Sequence, residues 1–190
     1  KGDIEYATTI REELEKIMWQ NLNATLNDKN THIIWFNALV SFARTKVGLD
    51  HLAEIFDDPK TYNLVHKSQN NRWRILWCLA TYGDKDVAEL VSSESKRDKS
   101  DDALNWQLAI AVANKSTKNK EKFYNRLIQK DSGDSVRKQK IIAANLFPEG
   151  QEKLRLNFAG KYFRDLPKLS NERNEIFLGA FSKSLIPLVC

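Results

Sequence analysis

Apolar residues recur at spacings of three and four along nearly the whole chain, the period of a helix with one buried stripe. In the first segment Ala7, Ile10, Leu14, Ile17, Met18 and Leu22 share a face, and Asp3 stands where it can cap the start. The next segment opens at Thr31 and is apolar round most of its circumference, through Ile33-Ile34-Trp35-Phe36, Ala38-Leu39-Val40, Phe42 and Ala43. Such a helix needs cover on several sides, which predicts a central position. Gly48 is placed to end it in a left-handed residue. Asp50 then caps a short helix bearing Leu52, Ile55 and Phe56, stopped before Pro59.

A rhythm sets in beyond Lys60–Gln69. Asn70 or Asn71 caps a helix bearing Trp73, Leu76, Leu79 and Ala80, which Gly83 closes. Asp84 caps the next, with Val87, Leu90 and Val91. Ser100 caps another, with Asp101 and Asp102 in its first turn, where carboxylates suit the helix dipole. Helices are then predicted from Ser116 or Thr117 and from Asp134 or Ser135, the latter stopped by Pro148. A further helix carries Leu154, Phe158, Tyr162 and Phe163 up to Pro167, and Ser170 caps the last before Pro187. Helix pairs starting near Asn71, Ser100, Asp134 and Ser170 repeat at roughly 30–36 residues, the range of helix-pair repeats. No strict motif recurs between them. The predicted fold is therefore all-α, an irregular α-solenoid of antiparallel helix pairs of the armadillo or HEAT kind, with residues 1–190 as a single helical-repeat domain.

Composition agrees. Only 7 Gly and 4 Pro occur in 190 residues, too few breakers for a turn-rich sandwich or barrel. Lys1 in place of Met, with a helical pattern opening at Asp3, implies a piece of a longer protein. No apolar run is long enough to span a bilayer, and no membrane partner is expected. The net charge of +5 is spread among acidic residues, and the densest basic run, Arg137-Lys138-Gln139-Lys140, reads as a solvated helix face. No nucleic-acid partner is expected.

Candidate chemistry is sparse. His32, His51 and His66 have no pair at a spacing of four, and His51-Leu-Ala-Glu54 is the nearest approach to a ligand pair, so no metal or cofactor site is assigned. No G-x-S-x-G elbow or phosphate-cradling loop occurs. Cys78 lies in an apolar helix, where a thiol is inert, and Cys190 is the last residue. Arg72-Trp73-Arg74 stands out. Trp73, Leu76 and Trp77 share a face, and the two arginines either pair with acids of a neighbouring helix or point into a concave face to meet substrate.

Those same residues open a resemblance. Arg72-Trp73-Arg74-Ile75-Leu76, then Tyr82-Gly83-Asp84 and Val87-Ala88-Glu89-Leu90, resemble the C-terminal helical region of zinc aminopeptidases of the aminopeptidase N family. Asp98-Lys-Ser100, the stretch Ala109-Ile-Ala111-Val-Ala113-Asn114-Lys115, Phe147-Pro148-Glu149-Gly150-Gln151 and Tyr162-Phe163 with Leu166-Pro167 continue the likeness, which runs from Asn71 to Ile186. Here the segments are richer in Lys and Asn than in the family. The resemblance implies a bowl of helix pairs over a catalytic domain of the same chain, enclosing a peptide substrate. Zinc would lie in that catalytic domain. The family's His-Glu-x-x-His and Gly-x-Met-Glu-Asn motifs do not occur, so no catalytic residue carries over. The alternative is a free-standing helical-repeat scaffold that binds a protein partner.

Overall fold

The computed structural model describes residues 2–84 and 86–187, with side chains from residue 5 onward. The Asp3 cap and Cys190 therefore lie outside the described side chains. Twelve helices and no strand occur among the described residues, so the chain is all-α. They are α1 (Gly2–Ala24), α2 (Lys29–Phe42), α3 (Lys46–Asp57), α4 (Asn63–His66), α5 (Gln69–Tyr82), α6 (Ala88–Arg97), α7 (Asp101–Ala113), α8 (Thr117–Ile128), α9 (Val136–Asn145), α10 (Glu152–Asn157), α11 (Ala159–Glu172) and α12 (Glu175–Leu185). Two compact units divide the chain, Lys1–Ala103 and Leu104–Cys190, the division falling inside α7.

In the first unit α2 is central, in contact with α1, α3, α4 and α5. Its Phe36, Leu39 and Val40 join Leu22, Leu52, Ile55, Val65 and Ile75 in one core, and only Ile34 stands well out of it, 63% exposed. Aspartate starts α2 earlier than expected: Asp28, not Thr31, is its N-cap, accepting from the Asn30 and Thr31 amides.

The face that α1 buries differs from the predicted one. Ile10, Leu14 and Ile17 are exposed, while Glu15 and Leu22 are fully buried and Met18 and Trp19 pack on the core. The helix is turned by about one residue, or ~100°, from the apolar stripe. The cause is Glu15. Its Oε1 accepts from the Arg44 and Thr45 amides at 2.8 and 3.2 Å, and its Oε2 from the Gly48 amide at 3.0 Å and from the Thr45 hydroxyl. These are donors at the start of α3, where the dipole favours an anion. Gly48 accordingly does not end α2, which stops at Phe42. It lies in the first turn of α3, where an added Cβ would meet the Glu15 carboxyl carbon at 2.6 Å. Asp50 is likewise inside α3, whose own cap is Thr45.

The second unit has its own core: Phe123, Tyr124 and Leu127 of α8, Ile142 of α9, Phe158, Tyr162 of α11, and Phe177 and Phe181 of α12. Tyr162 stacks on Phe181 with ring centres 5.2 Å apart and planes 5° from parallel, and Tyr124 tilts against Phe158 at 5.4 Å. Arg126 grips Asp134 through two bonds of 2.7 and 2.6 Å and so closes the loop between α8 and α9.

Ser100 and Ser135 accept amides at the starts of α7 and α9, and Ser116 precedes α8, as predicted. Two expected ends shift. Pro167 does not stop a helix but lies inside α11. The amide it lacks would bond Phe163, which is 59% exposed, so water can serve that carbonyl. Ser170 is also inside α11, its hydroxyl donating to the Pro167 carbonyl at 2.8 Å, and Asn174 caps α12 instead.

Gly→Ala inside a helix ordinarily stabilises by about 0.5–1 kcal/mol. At Gly179 of α12, where an added Cβ meets nothing within 4 Å, that gain is expected. At Gly48 the new methyl displaces the Glu15 carboxylate from its amides, and a loss of about 1–3 kcal/mol is expected. Urea unfolding of the two variants checks the opposite signs.

Candidate functional site: buried charges at helix ends

The Arg72-Trp73-Arg74 segment occupies the first turns of α5, which begins after Ser68 rather than at Asn70 or Asn71. Consecutive residues of a helix point to different sides, and the three side chains take different environments. Arg72 is 2% exposed. Its Nε and Nη2 donate to Glu94 Oε1 of α6 at 2.8 and 2.7 Å, and its Nη1 to the His66 carbonyl at 2.6 Å. It thus takes the ion-pair alternative, and its donors face the interior rather than a peptide. Trp73 donates its indole N–H to Asp98 Oδ2 at 2.9 Å, while Asp98 Oδ1 accepts from the Ser100 amide at 3.0 Å just before α7. Burial pushes the Asp98 carboxyl up, but the Ser100 and Trp73 donors together hold it below its ordinary value. Glu94 and Asp98, absent from the sequence-level candidates, are thus the acids that complete the motif. Their spacing of four on or beside α6 was the available signal.

Arg74 differs. It is half-buried, its Nη1 donating to Asn37 Oδ1 at 2.5 Å and its Nη2 lying 3.5 Å from Ser41 Oγ, both on α2. Its guanidinium lies over Phe36 at 5.5 Å. Burial draws its pKa down. Among the described residues Arg74 has no carboxylate partner.

The histidines go to three separate places. His32 Nδ1 meets the Leu22 carbonyl at 3.1 Å, and His66 Nε2 meets the Ile55 carbonyl at 2.7 Å. His51 lies flat on Trp19, 4.2 Å between ring centres and 8° between planes. Burial lowers the pKa of His32 and of His51. No group of three metal-ligating side chains forms among the described residues, and His51 with Glu54 gains no third ligand. Cys78 is buried, donating to the Val40 carbonyl at 3.2 Å, and burial pushes its thiol up to about 11, the inert setting expected.

In the second unit Lys120 is fully buried. Its Nζ donates to the Val112 and Ala113 carbonyls at 3.0 Å each, the last two of α7, and lies 5.8 Å from the Phe147 ring. Asn119 donates to the Ala111 carbonyl at 2.9 Å and Gln151 to that of Ala113 at 2.8 Å. The end of α7 is thus closed by side chains, with a cation where the dipole favours one. No spacing rule separates a buried lysine from a solvated one.

No protein-family model matches the chain, and a search of curated proteins finds no match. No helix among the described residues is long and apolar enough to cross a membrane.

Two outcomes follow from these contacts. Arg72→Ala leaves the buried Glu94 with only the exposed Arg97 guanidinium at 4.0 Å and is expected to destabilise by about 3–5 kcal/mol, whereas Arg74→Ala loses only neutral partners and is expected to lose about 1 kcal/mol. Equal losses in denaturant titrations would contradict this contrast. Burial draws Lys120 down to about 7 from the ordinary 10.5. Between those values the unfolded chain holds one proton more, so stability rises as pH rises, by up to about 1.4 kcal/mol per pH unit. Below 7 both states are protonated and this contribution is flat. The difference in unfolding free energy between the protein and Lys120→Met, measured from pH 6 to 10, is expected to carry that slope. A difference independent of pH would contradict it.

Proposed function

We propose that the chain is the C-terminal helical domain of a zinc aminopeptidase of the aminopeptidase N family. In this reading its helix pairs form an irregular armadillo- or HEAT-like solenoid that encloses the chamber and contacts the distal part of a peptide substrate. The resemblance along Asn71–Ile186 motivates the reading, and the geometry of its first motif supports it. Arg72 and Trp73 reach Glu94 and Asp98, so the spacing from that motif to the next has a structural use in this chain.

The observation that carries the contact role is Arg74. A half-buried guanidinium held by an amide, a hydroxyl and a ring keeps its charge for an incoming carboxylate or carbonyl. The domain contributes binding, and the zinc and the bond cleavage belong to the catalytic domain. The three histidines here are engaged apart from one another and are not assigned to a metal.

The test is made on the full-length gene product. It is expected to bind zinc and to hydrolyse an aminoacyl arylamide in a chelator-sensitive manner. Arg74→Ala is expected to change its preference among peptide lengths while leaving that single-residue reporter within about two-fold. A full-length product with neither zinc nor hydrolysis would leave the free-standing scaffold in its place. Equal effects of Arg74→Ala on both substrates would remove the contact role.

A further inference from the structure

A cavity of about 380 Å³ opens in the first unit between α3, the end of α5 and the segment leading into α6. That volume is within the ~300–1,000 Å³ of ordinary ligand pockets. Leu49, Ala53, Leu79 and Leu90 give it an apolar lining. Gly83 stands at the C-terminal end of α5, where a Cβ would meet the Leu79 carbonyl oxygen at 2.6 Å, so the backbone turns tightly at the edge of the cavity.

The charges around the lining are uneven. Lys46 is bound to Asp50 at 2.5 Å, and the Arg44 guanidinium lies over the Tyr82 ring at 4.0 Å. Asp86 gives one oxygen to the Ala88 amide. Asp57 and Asp84 are exposed and have no cation partner among the described residues. Carboxylates beside an apolar hole repel an anionic ligand and attract a cation attached to an apolar group. A purely apolar ligand would strip water from those carboxylates with nothing in return.

We propose that this cavity is a docking pocket for a peptide segment in which an apolar side chain of leucine or phenylalanine size is flanked by lysine or arginine. The apolar side chain fills the cavity, and the basic neighbour meets Asp57 and Asp84. The pocket stands on its own geometry and does not require the aminopeptidase reading, since binding is read on this chain without turnover.

Three fluorescein-labelled octapeptide amides test it by fluorescence anisotropy: alternating leucine and lysine, alternating leucine and glutamate, and alternating serine and lysine. The leucine–lysine peptide is expected to bind about ten-fold or more tightly than either other peptide, and to weaken as salt rises. Asp57→Asn combined with Asp84→Asn is expected to weaken it about ten-fold with the melting temperature retained, since both side chains are exposed. Ala53→Trp, which fills the cavity, is expected to abolish binding. Equal binding of the serine–lysine peptide would show a charge effect without a pocket and overturn the proposal. So would the absence of binding, or binding indifferent to the aspartate variants.

Discussion

Every α-helix leaves donors unpaired at its start and carbonyls unpaired at its end, and in a chain of short helices these ends fall in the interior. Meeting that demand is the constraint on which this structure depends. Glycine does little of it: among the described residues only Gly133 and Gly150 have positive φ. Side chains from elsewhere in the same unit do it instead. Glu15 of α1 serves the start of α3. His32 reaches the Leu22 carbonyl in the last turn of α1, His66 the Ile55 carbonyl in the last turn of α3, and Arg72 the last residue of α4. Lys120 serves the end of α7. Where these groups carry charge the signs agree with the helix dipole, the Glu15 anion at a start and the Arg72 and Lys120 cations at ends.

These bonds fix arrangement more than they add bulk stability. Apolar burial drives each core, at about 1.5–3 kcal/mol for a large side chain. A buried charge gains little net, because desolvation offsets its partners, yet removing one partner strands the other. Helix faces therefore turn to satisfy the buried charge. In α1 the Glu15 carboxylate faces inward and the exposed side carries Ile10, Leu14 and Ile17. Around Arg72 the same logic joins α4, α5 and α6. Arg74, one residue beyond Trp73, escapes it and keeps a charge opposed only by neutral groups.

The helical class was legible from periodicity and from the scarcity of Gly and Pro. The starts at Ser100 and Ser135 were legible because a capping hydroxyl acts locally, and α8 begins after Ser116 although that hydroxyl caps no amide. What failed were readings that needed tertiary knowledge. Gly48 looked like a helix stop and is a site of close approach to a carboxylate thirty-three residues earlier. Glu15 lies outside the apolar stripe of α1, and no local pattern marks it as the buried anion. Pro167 looked like a stop but is carried within α11, beside an exposed turn. For the candidate site, the sequence offered Arg72 and Arg74 with two alternatives, and geometry divides them. The acids Glu94 and Asp98 and the apolar cavity beside Asp57 and Asp84 come together only in three dimensions.

Helix ends inside this protein are closed by side chains from other helices. Amide hydrogen exchange by NMR tests it at the start of α3. First-turn amides of a helix usually exchange quickly, since no carbonyl within the helix bonds them. If Glu15 closes this end, the Arg44, Thr45 and Gly48 amides exchange as slowly as those of Leu52 and Ile55 in the middle of the helix. Exchange at these three amides near the rate of an open chain, with Leu52 and Ile55 protected, would contradict the account.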